Sequence, residues 1–384
     1  MSIHSQPTVR DPTPFEINAR SSDHLDVPLF PNRFNNARLD HSRDPYASTI
    51  TKNSSTLPAI MNRTGFATPH NTSSRNFSFS KRTLIEQKDV FPPVSPSRAP
   101  DIQRTETAWK HPVFTEKEME KIGVSHRETL TFSDKIALNA IRFLRWGMDT
   151  ATGYKHPEEV SAGATSSKKF EMTESKWLVR FIFLESVAGV PGMVGGMLRH
   201  LHSLRRMKRD NGWIETLIEE SFNERMHLLT FLKLHTPGIF MRTMILGAQG
   251  VFFNGFFICY LLSPRTCHRF VGYLEEEAVR TYTRALSDLD AGKLPLWNSG
   301  RIQAPEIAIG YWNMPEGKRG MRELLMYIRA DEAKHREVNH TLGNLDQNGD
   351  PNPFASVFKD DTKPHPSKGL EGSKGEGWKR EEAL

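Results

Sequence analysis

The sequence predicts an all-α protein, with one helical unit of about 230 residues, Val113 to Thr341, between two polar flanks. Three observations predict it. Apolar residues inside those limits recur at helical spacing, and no alternating strand pattern of any length interrupts them. Glutamate precedes histidine by three residues at three places within the helical segments. Finally, Met244 to Leu262 (MILGAQGVFFNGFFICYLL) runs nineteen residues without a charge. As a helix it would reach roughly 28 Å, enough to cross a bilayer core.

The flanks read differently. Residues 1 to about 100 are rich in Ser, Thr, Asn, Pro and Arg, and residues 342–384 are Gly, Pro and Lys rich, the composition of a polar tail. From Pro45 to Ile85 there is no Asp or Glu, while Lys52, Arg63, Arg75, Lys81 and Arg82 sit among hydroxyl residues. That composition is a mitochondrial transit peptide. Arg75-Asn76-Phe77-Ser78 places the cut so that the mature chain starts near Ser78, giving a transit region of 1–77 and an arm of 78–112 before the bundle of 113–341. Residues 1–44 carry six acidic side chains and fit such a signal poorly, so an over-extended 1–60 is expected, with Met61 the better initiator.

A net charge of +6 and a pI of 9.2 suit nucleic acid or an anionic membrane surface. No zinc-binding spacing or RNA-binding aromatic pattern is present, so no nucleic-acid partner is expected. The two cysteines, Cys259 and Cys267, lie in or beside the apolar run and make no disulfide framework.

The helices follow in order. Ser133-Asp134 caps a first segment to about Met148, apolar at Ile136, Ala140, Ile141, Phe143 and Leu144 and basic at Arg142 and Arg145. A second starts after Thr173 and runs to about Leu198, with Pro191 and Gly192, Gly195 and Gly196 bending it or allowing close helix contact. The third is IETLIEESFNERMHLLTFLKL and the fourth is the uncharged run. TCHRFVGYLEEEAVRTYTRALSDL and GMRELLMYIRADEAKHREVNHTL are the fifth and sixth.

Metal chemistry follows from helical spacing. Glu at i and His at i+3 share one face, and two such pairs plus one Glu from each of two further helices supply six ligands to two ions. Glu224/His227, Glu332/His335 and Glu337/His340 have that spacing. A lone pair of this kind more often marks an exposed salt-bridging face than a ligand pair. The last two pairs lie five residues apart, rotated roughly 140°, so both do not face one core. Ala330 and Ala333 allow close packing around Glu332 and His335, whereas Glu337 and His340 fall toward a polar end and are expected on a solvated face. Glu185 is the only charge in Phe181 to Leu198, a costly position unless paired or metal-bound. Among Glu275, Glu276 and Glu277, the first is favoured because Tyr282 follows seven residues on, nearly on the same face. Four carboxylates neutralise two divalent ions, and oxygen donors with two imidazoles suit iron or manganese. The fold expected is a ferritin-like di-iron four-helix bundle with two additional helices at a membrane surface.

At these residues the sequence resembles the mitochondrial alternative oxidases of fungal type. The matching strings are Leu-Glu-Ser at 184–186, Asn-Glu-Arg-Met-His-Leu at 223–228, Leu-Glu-Glu-Glu-Ala at 274–278 and Arg-Ala-Asp-Glu-Ala-Lys-His at 329–335. The resemblance spans about Val90 to Asn344 and implies a non-haem di-iron ubiquinol oxidase that reduces O2 to water without pumping protons. It implies Glu185, Glu224, His227, Glu275, Glu332 and His335 as ligands of two iron ions, and it settles Glu275 over its neighbours. Asn223, Asp331, His268 and Trp312 are implied as the polar groups that orient them. Tyr282 is implied in oxygen chemistry, and Arg145, Asp149, Arg180, Leu184, Leu274, Ala278 and Thr281 in the quinol pocket. A quinone-modifying hydroxylase of the demethoxyubiquinone type and a non-enzymatic membrane scaffold are the rival readings. The plant-type regulatory cysteine has no counterpart upstream of Cys259, so thiol control is not expected.

The uncharged run lies between His227 and Glu275, and a single crossing there would put two ligands of one site on opposite sides of a membrane. No compensating apolar run separates Glu275 from Glu332. The run is therefore expected to lie in one leaflet beside the first amphipathic helix, with Arg142 and Arg145 at headgroup level. That makes the protein monotopic on the mitochondrial inner membrane, facing the matrix, with ubiquinol, O2 and the lipid leaflet as partners and a homodimer allowed.

Overall fold

The computed structural model describes residues 109–152, 154, 171–360 and 362–384. The transit region, Met61, the cleavage point and most of the 78–112 arm lie outside the described residues. Among those described, ten α-helices and no named strand occur: α1 Glu116–Glu120, α2 Phe132–Thr152, α3 Glu174–Arg206, α4 Trp213–Leu234, α5 Ile239–Leu262, α6 Pro264–Asp290, α7 Pro295–Asn298, α8 Glu306–Tyr311, α9 Met321–Leu342 and α10 Arg380–Ala383.

Local chemistry sets the boundaries. The first cap falls on Thr131, two residues before the expected Ser133. Thr131 Oγ1 accepts from the Asp134 backbone N–H at 3.2 Å, and Asp134 Oδ2 accepts from the Thr131 N–H at 3.1 Å, a reciprocal capping pair. Thr173 caps α3 by accepting from Lys176 N, and the helix continues past Leu198 until Met207 turns left-handed at φ 50°. Pro264 opens α6 at its first turn, where the missing N–H costs nothing, and Ser263 Oγ accepts from Thr266 N.

Helices α3, α4, α6 and α9 form the bundle, α3 packed on α4 and α6 on α9. Its core stacks Trp177, Phe181, Phe231 and Tyr282 beneath Leu324 and Ile328. The glycines of α3 serve close approach. A Cβ on Gly192 would stand 2.4 Å from the Leu217 carbonyl oxygen, and one on Gly196 would stand 2.6 Å from Ile218 Cδ1. Because the Gly192 neighbour is backbone, Gly192→Ala is expected to cost about 2 kcal/mol and lower Tm by roughly 6 °C. Thermal unfolding beside Gly147→Ala, where a Cβ meets nothing within 4 Å, checks this; equal midpoints would remove the close-contact role.

Two long helices, α2 and α5, stand outside the four. α2 packs on α6, and α5 packs on α3 and α6. In α5 only Phe256 and Tyr260 are buried, and Ile239, Phe240, Leu246, Val251, Ile258, Leu261 and Leu262 are exposed.

One sequence expectation is overturned. Glu337 and His340 do not form a solvated face: both are 0% exposed. In α9 only Arg322, Glu323 and Lys334 escape full burial. The cover is the segment after α9, which folds back along it. Trp378 donates through Nε1 to Glu337 Oε1 at 2.5 Å and through its backbone N–H to Thr341 Oγ1 at 2.9 Å. Lys374 N and Lys334 Nζ also donate to Glu337, and His340 shares a proton with Glu276 Oε1 at 2.9 Å. The two pairs do face different ways, as the rotation requires. The second faces a strap of protein rather than water.

Candidate metal centre

Each bundle helix brings donors inward. α3 carries Glu185, α4 carries Glu224 and His227, α6 carries Glu275, and α9 carries Glu332 and His335; all six are buried. They converge in two overlapping groups whose nearest donor atoms lie within 4.8 Å of one another: Glu185, Glu224, His227 and Glu332 in one, and Glu224, Glu275, Glu332 and His335 in the other. Glu224 and Glu332 belong to both, so the arrangement has two end positions and a shared middle.

The donors are aimed past one another. Both oxygens of Glu224, Oε2 of Glu275, Oε2 of Glu332 and Nδ1 of His335 are buried without a hydrogen bond. His335 Nδ1 stands 2.8 Å from Glu224 Oε1, yet neither completes one. His227 Nδ1 faces Glu185, Glu332 and Glu224 at 3.3, 3.4 and 3.6 Å. Buried polar groups are almost always paired, so this many unpaired donor atoms around one point fits a bound cation. With its four carboxylates ionised and its two imidazoles neutral, the set would carry the charge that two divalent ions cancel.

A polar frame holds the imidazole of His227. Its Nε2 shares a proton with Asp331 Oδ2 at 3.1 Å, which leaves Nδ1 for the centre. The same Asp331 oxygen accepts from Trp312 Nε1 at 2.9 Å and Asn223 Nδ2 at 3.0 Å, and Oδ1 meets His111 Nε2 at 2.6 Å. Burial alone would raise the Asp331 carboxyl, but His111 and His227 pull it far down, so it stays charged. Asn223, Asp331 and Trp312 thus meet in one hydrogen-bonded network. His268 does not join it. It contacts Asn339 Oδ1 at 3.2 Å and the Tyr260 hydroxyl at 3.1 Å, and burial lowers it to about 3, so the ring is neutral. Asn339 Nδ2 donates onward to both oxygens of Glu220, at 3.0 and 2.8 Å. Sequence reasoning passed over Glu220, although it precedes Glu224 by one helical turn. Burial raises its carboxyl to about 7 against the pull of His335 and Asn339.

Tyr282 is 0% exposed, and its hydroxyl donates to Glu185 Oε1. Its ring stacks on Phe181 at 4.8 Å between centroids.

An apolar cavity of about 470 Å³ opens between α2 and α5 and ends at Glu185, Glu275 and Glu332. Arg145, Arg180, Leu184, Leu274, Ala278 and Thr281, six of the seven residues named for a quinol pocket, line it. Asp149 stands behind the wall, accepting from Arg180 Nη2 at 2.7 Å and from Arg145 Nε at 3.4 Å. Arg145 is also paired with Glu277.

The model of the family described as alternative oxidase matches residues 114–344. A mitochondrial alternative oxidase of Aspergillus niger is 62% identical over 318 residues, covering 83% of this chain and 88% of its own. One from Emericella nidulans is 66% identical over 297 residues, 77% of this chain and 82% of its own. One from a Gelasinospora strain is 52% identical over 322 residues, 81% of this chain and 88% of its own.

Proposed function

Since the chain belongs to the alternative oxidase family, we propose that it oxidises ubiquinol and reduces O2 to water at a pair of iron ions held by Glu185, Glu224, His227, Glu275, Glu332 and His335. The observation that carries this reading is the placement of two overlapping donor groups at the inner end of an apolar cavity. An oxygen-rich donor set with two imidazoles suits iron. When bound, the metal pair supplies oxygen binding and electron storage. The protein does the rest. The cavity excludes water and admits an apolar molecule from the side of α2 and α5, and Arg180, braced by Asp149, offers a donor to a quinol oxygen. Tyr282 holds a hydroxyl hydrogen directed at Glu185 Oε1. Full reduction of O2 to water requires two quinols, each giving two electrons and two protons.

The exposed apolar faces of α2 and α5 support a monotopic seat in one leaflet, with the cavity opening into the lipid that carries quinol. Helix α5 is long and apolar enough to cross a membrane, but its flanks lead back to one centre, as argued from His227 and Glu275. The proposed seat is the matrix face of the mitochondrial inner membrane; the relatives' names, which print mitochondrial, support the organelle. The hydroxylase and scaffold readings fall with the family assignment.

The test is oxygen uptake by the iron-loaded chain with a short-chain ubiquinol in cyanide. Two quinols consumed per O2, with no oxygen returned by catalase, is the expected result. A ratio of one with peroxide release, or no uptake at all, overturns it. Asp331→Asn is expected to weaken metal retention by about 10- to 100-fold, because the His227 ring loses the carboxylate that orients it. Competition against a chelator reads this, and unchanged retention would remove Asp331 from that role.

A further inference from the structure

Beside α2 lies a second cavity that the oxidase reading does not use. It is an open groove of about 550 Å³ between that helix and the segment preceding it, lined by His126, Glu128, Thr129, Lys135, Asn139 and Arg142. Lys135 and Arg142 are seven residues apart, so they lie two turns along one row, roughly 10 Å from each other. No hydrogen bond or ion pair joins either side chain to another described residue. The one carboxylate in the groove is the exposed Glu128, and the His126 ring is held by Glu276 Oε2 at 2.6 Å. Two unpaired cations therefore face one carboxylate, with Thr129 and Asn139 adding neutral donors.

The position of this row on α2 says what it meets. Phe132, Ile136, Phe143 and Trp146 are 78, 50, 67 and 64% exposed. At about 100° per residue they share an arc of roughly 80°, and Lys135 and Arg142 border its edge. An in-plane helix with that pattern sinks its aromatic row among acyl chains and brings the adjoining cations to phosphate depth. Free phosphate would meet the same cations but gain nothing from the apolar row.

We propose that this groove binds the phosphodiester headgroup of an anionic lipid, clasped by Lys135 and Arg142. The proposal rests on the leaflet-seated reading of α2 and α5. Each cation near an anionic surface contributes enough that the pair should favour anionic over neutral vesicles by roughly 30-fold.

The test uses the full iron-loaded chain in vesicle flotation, with phosphatidylcholine alone or with phosphatidylglycerol added. Wild type should prefer the anionic vesicles, and Lys135→Gln/Arg142→Gln should lose that preference while binding neutral vesicles and consuming oxygen as before. Arg242→Gln, which removes an exposed cation from α5, should keep the preference. Equal loss in the Arg242 variant means diffuse attraction and overturns a discrete site, as does an unchanged preference in the double variant. Inorganic phosphate that competes at matched ionic strength makes soluble phosphate the ligand and overturns the lipid assignment. Failure of wild type to bind any vesicle sinks the leaflet reading itself, a result distinct from binding without preference.

Discussion

Glu224→Ala is expected to retain less than one iron per chain and to lose quinol-dependent oxygen uptake by more than about a hundredfold, the upper range for disturbing a group one step further out. Glu224 is singled out because it belongs to both donor groups, and neither of its oxygens has another partner. The same variant also weakens the metal-free protein. Burial alone would raise the Glu224 carboxyl, but the His227 and His335 rings pull it far down, so it stays charged between them and its removal should lower the metal-free melting temperature as well. Added iron should raise the melting temperature of wild type and leave that of the variant nearly unmoved. Metal analysis with thermal unfolding reads both. A variant that holds two ions, or gains wild-type stability from iron, removes Glu224 from the centre.

The same electrostatics set the pH dependence of loading. Burial, then Glu332 and Glu224, raise the Glu185 and Glu275 carboxyls well above their usual range. For His227 and His335 burial alone would lower the rings, but the carboxylates they face, Asp331 foremost at His227 and Glu224 at His335, raise them. Without metal the centre therefore binds extra protons at all four groups, and each entering ion displaces them. More protons bound in the metal-free state means that falling pH favours metal loss. Chelator extraction should accelerate steadily as the medium is acidified from neutrality.

The donor set was legible in the sequence because helical spacing is a local rule. Glu-x-x-His fixes two side chains to one face wherever the helix goes, and an isolated Glu185 among apolar residues is too costly to bury unless a cation or a proton neutralises it. The uncharged run was legible as a single helix, Ile239–Leu262, and its proposed seat in one leaflet rests on order along the chain, with His227 before it and Glu275 after. Glu337 and His340 were misread because their cover is supplied by Lys374 and Trp378, more than thirty residues away in a segment with the composition of a loose tail. Gly377 shows why that composition is needed. Its φ is +78°, and a Cβ there would stand 2.7 Å from His340 Cβ and from the Thr341 backbone nitrogen. His111 escaped notice for the same non-local reason, lying before the expected start of the bundle yet touching Asp331 at 2.6 Å. His268 shows the limit of adjacency in the chain, since its partners on α5 and α9 depend on how three helices cross.

Tyr282→Phe is the variant that separates holding the metal from using it. The phenol ring stacks on Phe181, which itself stacks on Phe231, and phenylalanine preserves that stack while deleting only the hydroxyl. Burial, then Glu185 and Glu332, push the phenol well above its usual range, so at working pH the hydroxyl keeps its proton and donates it to Glu185 Oε1. If that hydrogen is used when O2 is reduced, the variant should bind two irons, fold with an unchanged melting temperature, and turn over at least about a hundredfold more slowly, roughly 2.7 kcal/mol in the barrier. The KM for quinol should stay near that of wild type, because the hydroxyl faces Glu185 rather than the cavity mouth. Loss of iron in parallel with activity would mean that Tyr282 acts by positioning Glu185. Turnover within threefold of wild type would remove it from the chemistry altogether.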